Sequence, residues 1–112
     1  MADNSKLKTT IGLASKAGKA ICGTQLIIEA LRSAGKKKPC LVLEAADTSE
    51  GTHKKLSDKC SFYGVKHIRV ELDMSELSGS VGKLSSVSAV GICDEGLARA
   101  VLSKIEAPHE NS

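Results

Sequence analysis

Apolar positions follow two alternating rhythms along the 112-residue chain, one with helical spacing and one with strand spacing. Leu7, Ile11 and Ala14 recur at the helical period behind Ser5, which can cap a first helix, and Gly18 offers its C-terminal stop. Ala20 to Cys22 is a minimal strand. From Thr24, Ile27, Ala30, Leu31 and Ala34 return to the helical period until Gly35 and Pro39 end it. "CLVLEA", Cys40 to Ala45, is a nearly continuous apolar run, as in a strand covered on both faces. "DTSEGT" supplies several caps for a third helix carrying Leu56, Cys60 and Tyr63 on one face, and Gly64 closes it. "HIRVEL", His67 to Leu72, alternates strictly, predicting a half-exposed or edge strand with Ile68, Val70 and Leu72 inward and His67, Arg69 and Glu71 outward. A short helix capped by Ser75 follows over Ser75 to Val81, then a small-residue strand over Val87 to Cys93. Asp94 caps a last helix from Glu95 to about Ile105, with Leu97, Ala98, Val101, Leu102 and Ile105 as its apolar stripe.

This α-β-α-β-α-β-α-β-α order predicts a central sheet with helices on both faces. No internal repeat or linker interrupts it, so the reading is one domain over 1–112, ordered from about 5 to 105 with a flexible tail over 106–112.

Charge changes the picture more than composition does. The net +3 is lopsided: residues 1–38 hold eight basic and two acidic side chains, whereas the remainder holds eight basic and eleven acidic ones. Such asymmetry suggests a polyanion-facing side. Aromatics amount to 2% of the chain, Phe62 and Tyr63, which excludes a row of base-stacking platforms. Cys22, Cys40, Cys60 and Cys93 form no CxxC pair and read as core thiols in a reduced, cytoplasmic setting, and no apolar run is long enough for a membrane span.

Catalytic and cofactor motifs are absent. "SGSVGKLS" fails as a P-loop, because Leu77 replaces the leading glycine and Leu84 the metal-binding hydroxyl, and no G-x-G-x-x-G follows a strand. His53 and Cys60 stand seven apart on one helical face, but two further zinc ligands at suitable spacing are not evident. Asp47, Asp94 and Glu95 stand at predicted helix starts, where a carboxylate serves the helix dipole. The one suggestive feature is the strand-to-helix turn at Gly23-Thr24, with Lys16 and Lys19 close before it, an anion site in outline.

"IGLASKAGKAICGTQLIIEALRS", "CLVLEAADTSEGTHKKLSDKCSFYGV" and "VGICDEGLARAVL" together resemble the ribosomal L-seven-Ae / L-thirty-e superfamily, most closely its bacterial YlxQ-like branch. The likeness runs from Leu7 to Ile105, with "SDKCSFYGV" and "CDEGLA" as its most branch-specific blocks. It implies a three-layer α-β-α sandwich with a mixed four-stranded sheet, and recognition of kink-turn RNA. In the family the start of the second helix enters the RNA groove and the loop before the last strand covers a flipped-out nucleotide. Those surfaces fall on Gly23 to Leu26 with Glu29, and on Lys83 to Ser86. Gly23 then permits close approach, Thr24 and Gln25 donate to backbone and base edges, Lys16, Lys19 and Lys83 neutralise phosphate, Ser85 could meet a phosphate, and Leu84 packs on an unstacked base. Lys36 to Lys38 could meet further phosphates.

The chain departs from the family pattern where Asn-Glu and a downstream lysine are expected: here stand Gln25, Leu26 and Glu29. Leu26 removes a guanine-reading carboxylate, and Glu29 sets a negative charge where phosphate is expected. The resulting expectation is a non-catalytic, monomeric RNA-binding protein, with no metal, cofactor, membrane or small-molecule substrate. The same departures motivate a second reading, a protein-interaction module that keeps the fold without the RNA site.

Overall fold

The computed structural model describes residues 4–33 and 38–106. Nine elements follow in the expected order: α1 Ser5–Lys16, β1 Ala20–Cys22, α2 Thr24–Arg32, β2 Leu41–Glu44, α3 Glu50–Tyr63, β3 Lys66–Arg69, α4 Met74–Ser80, β4 Ala89–Ile92 and α5 Glu95–Glu106. The sheet order is β1-β4-β2-β3, with β2 and β3 parallel and the other two pairings antiparallel. This is the mixed four-stranded sheet expected.

Strand alternation divides the core into two layers. Leu41, Leu43, Val90 and Ile92 face α1, α4 and α5, packing with Leu7, Ile11, Leu77, Ala98 and Val101. Val42 and Ala89 face α2 and α3, packing with Ile27, Leu31, Leu56 and Cys60. Gly91 also lies on that second face, where a Cβ would stand 3.1 Å from Pro39 Cβ. β2 is buried along its whole length, as its apolar run predicted, but the run ends in Glu44, whose side chain is also fully buried.

Local signals placed some ends correctly. Ser49 caps α3 by accepting from the Thr52 N–H, and Gly64 ends it in the left-handed conformation at φ 70°. Asp94 caps α5 by accepting from the Leu97 N–H at 2.9 Å.

Other ends differ. Ser5 is the first helical residue of α1 rather than its cap, and Asn4 at the cap position makes no side-chain cap bond, its amide instead donating to the Glu71 carbonyl. α4 begins at Met74 because Asp73 and Glu76 form a reciprocal capping box, which outcompetes a Ser75 cap. Asp47 serves the same helix, accepting from the Met74 N–H at 2.8 Å, although in sequence it stands before α3.

β3 departs most. It runs Lys66–Arg69, because its only neighbour among the described residues, β2, ends at the Glu44–Arg69 pair. Val70 N–H still donates to the Glu44 carbonyl, after which Val70 and Leu72 enter the first core layer outside any strand. β3 is the edge strand expected and Arg69 on its outward face is exposed, but His67 on that face is covered, its side chain retaining 13% exposure. β4 and α2 are shorter than expected, α2 ending at Arg32, whereas α5 takes in Glu106, which the sequence reading gave to the tail; the expectations on Ala34, Gly35, Lys36, Lys37 and the tail over 107–112 lie outside the described residues. Among the described cysteines Cys60 is buried, whereas Cys22, Cys40 and Cys93 are half-buried rather than core.

Candidate nucleic-acid interface

The turn into α2 is set by Gly23, whose φ of 102° an L-residue rarely adopts. Its N–H donates to the Ala89 carbonyl at 2.8 Å, so the turn is anchored on β4. No side chain caps α2. The N–H groups of Thr24, Gln25 and Leu26 precede the first intrahelical bond, from Ile27 N–H to Gly23 carbonyl, and present the positive end of the helix.

Thr24 does not cap. Its hydroxyl lies 2.6 Å from the Ser88 hydroxyl, tying the start of α2 to the segment before β4. Gln25 donates its amide to Glu29 at 3.1 Å, one turn on, which holds that carboxylate against the exposed face of α2. Leu26 is 56% exposed.

The second surface is the segment 82–86. Ser78, buried under it, accepts from the Val87 N–H through its hydroxyl and from the Lys83 N–H through its carbonyl. Gly82 turns at φ 73° just before the first of these anchors, at Lys83. The segment is thus fixed at both ends while Leu84, Ser85 and Ser86 stand in solvent, Leu84 completely. Lys83 is close enough to the end of β1 to act on Cys22: burial pushes that thiol up and the Lys83 charge opposes it.

The structure therefore brings Gly23, Thr24, Gln25, Glu29, Lys83, Leu84 and Ser85 to neighbouring segments joined by the Thr24–Ser88 contact. Lys16 lines a groove of about 760 Å³ between α1 and α4 with Leu13, Val81 and Gly82. Lys19 is set further back, its carbonyl accepting from Cys93 at the start of β1, roughly 13 Å of extended chain before Gly23. Lys38 is exposed and stands 5.4 Å over the Tyr63 ring. Leu13, 53% exposed on the groove, is a residue that sequence reasoning missed. Its displacement from the Leu7, Ile11, Ala14 stripe was the available signal.

A second polar centre, also missed, lies on the α3 side of the sheet. Glu44 Oε1 is 2.8 Å from His53 Nδ1 and 2.7 Å from His67 Nε2. Its other oxygen accepts from the Thr48 hydroxyl and lies 3.5 Å from Arg69 Nε. Arg69 also donates to the Thr48 carbonyl at 3.2 Å. Burial pushes the Glu44 carboxyl up, but the hydrogen bonds from Thr48, His53 and His67 and the His53 charge outweigh it and hold the carboxyl below the usual range. The same buried charge adds to desolvation at Cys60, whose thiol is pushed up to about 11. Among the described residues, no helix is long and apolar enough to cross a membrane.

A mixed four-stranded sheet between two helical layers, with a glycine-led helix start beside a doubly anchored serine-rich loop, defines a small three-layer α-β-α module. The chain belongs to the Ribosomal protein L7Ae/L30e/S12e/Gadd45 family, whose model matches residues 5–102, and falls in its YlxQ-like branch. It is 38% identical over 96 residues to the RNA-binding protein YlxQ of Bacillus subtilis (strain 168), covering 86% of this chain and 91% of that one. The RNA-binding protein YlxQ of Enterococcus faecium is 38% identical over 101 residues, covering 90% and 92%. A solved structure of a Bacillus halodurans protein of unknown function superposes with a TM-score of 0.79 at 26% identity, covering 91% and 98%. Both YlxQ relatives are named for RNA binding and neither for a reaction.

Proposed function

We propose that this chain is a non-catalytic RNA-binding protein that docks a kink-turn against the start of α2 and the 82–86 segment. The observation that carries the reading is the uncapped, glycine-led start of α2 held beside the exposed Leu84 segment by the Thr24–Ser88 contact. The first-turn N–H groups and the helix dipole suit a phosphate, and Lys83, with Lys16 on the neighbouring α1–α4 groove, supplies charge. Leu84 offers an apolar cover for a base turned out of its stack. Thr24 acts as a positioning residue, since its hydroxyl is committed to Ser88. The reading includes a monomer in the cytoplasm and an RNA of ribosomal type; RNA as the partner is supported by the names of the YlxQ relatives.

The test is a gel shift with a consensus kink-turn against a straight duplex of equal length, at two salt concentrations. Preference for the kink-turn with a loss of affinity at the higher salt is expected. Equal affinity for both RNAs would remove kink-turn specificity. The Gln25–Glu29 hydrogen bond beside exposed Leu26 favours a second reading, an interaction module for proteins. Partners in a pull-down that persist after nuclease treatment would select it.

A further inference from the structure

We infer that Glu44, His53 and His67 form a binding site for one divalent transition-metal ion of the zinc class, entered from the His53 side. One donor atom from each of the three lies within 4.8 Å of the others. They come from β2, α3 and β3, so no spacing along the chain announces them; the two ligands that His53 lacked in sequence are supplied by the neighbouring strands. Two imidazoles and a carboxylate make a nitrogen-oxygen set suited to zinc, cobalt, nickel or copper rather than magnesium or calcium.

The two oxygens of Glu44 have separate duties. Oε2 is held by the Thr48 hydroxyl with Arg69 nearby, whereas Oε1 faces the two ring nitrogens alone. Thr48 and Arg69 therefore stand where partners that orient a ligating carboxylate belong. Without an ion, His53 Nδ1 and His67 Nε2 must each point an N–H at the same oxygen. With one, both nitrogens turn lone pairs to the metal, and each ring carries its proton on the other nitrogen, with no change in redox state. Donors about 2.1 Å from a tetrahedral ion stand about 3.4 Å apart, so the imidazoles must swing by about 1 Å. The His53 side chain, 42% exposed, has the freedom to do so and leaves the fourth position open to water. Cys60, the sequence's companion to His53, is not one of the three donors.

The test titrates the full chain, kept reduced, with zinc by calorimetry and with cobalt by visible absorption. One ion per chain is expected, with cobalt d–d bands and no thiolate charge-transfer band. His53→Asn and His67→Asn should each weaken binding roughly tenfold or more, and Cys60→Ser and Cys93→Ser should bind as the wild type does. Should His67→Asn fail to fold by circular dichroism, the half-exposed His53→Asn carries the comparison. Absence of stoichiometric binding, unchanged affinity in His53→Asn, or a thiolate band would each overturn the site. The RNA reading is independent of it, because RNA affinity measured with and without chelator tests that surface separately.

Discussion

Removing the Glu44 carboxylate should destabilise the fold more than most single truncations, because it is fully buried and holds Thr48, His53 and His67. In Glu44→Ala the His67 ring loses its acceptor and the Thr48 hydroxyl keeps only the long 3.5 Å contact to the Ala45 carbonyl, while they remain 13% and 9% exposed, so water replaces the carboxylate poorly. His53 is half-exposed and can turn to solvent, and Arg69 keeps the Thr48 carbonyl. Two poorly solvated, unsatisfied groups at about 1–3 kcal/mol each give a loss of about 2–6 kcal/mol. Against a total of about 5–15 kcal/mol for a domain, that is a large fraction, and a fall in Tm of about 10 °C or more follows. Glu44→Gln keeps the shape and one acceptor, so about half the loss is expected. Urea unfolding followed by circular dichroism, with chelator present, measures both. A loss under about 1 kcal/mol in Glu44→Ala would refute the premise that this carboxylate pins β3 and α3 to β2. The wild type adds a pH arm. Because the folded carboxyl lies below the usual range, its contribution is fully present above the unfolded value of about 4.3 and is lost as pH falls through the folded value. Acid unfolding should therefore be flatter in Glu44→Gln, in that low-pH window only.

Three further outcomes are expected. Glu29→Lys should raise kink-turn affinity and steepen its salt dependence by about one unit of log–log slope, read from gel shifts at several salt concentrations; an unchanged slope would locate the contact away from α2. Leu84→Ala should leave Tm unchanged, since the side chain is wholly exposed, yet lower RNA affinity by about 1–2 kcal/mol, the apolar burial lost on truncating a leucine. Gly12→Ala should destabilise by about 1–3 kcal/mol, because its Cβ would stand 2.9 Å from the Ser80 carbonyl oxygen and force α1 from α4; helix propensity returns up to about 1 kcal/mol, so thermal unfolding should show a net fall.

Periodicity alone determined the order of nine elements and the two-sided burial of β2, because a helix or strand must repeat its apolar face at its own period. Caps resting on neighbours three residues apart, such as Ser49 with Thr52 and Asp94 with Leu97, were legible for the same local reason. Gly23 announced the α2 turn, but not that Thr24 spends its hydroxyl on Ser88, 64 residues away. Nor could the chain show that Asp47 serves α4, that β3 stops with its neighbour β2, or that His67 turns toward a buried glutamate 23 residues earlier. These were decided by tertiary structure, since a polar side chain's partner depends on which strands lie side by side, and sheet order is set by packing across the whole domain rather than by any stretch of sequence.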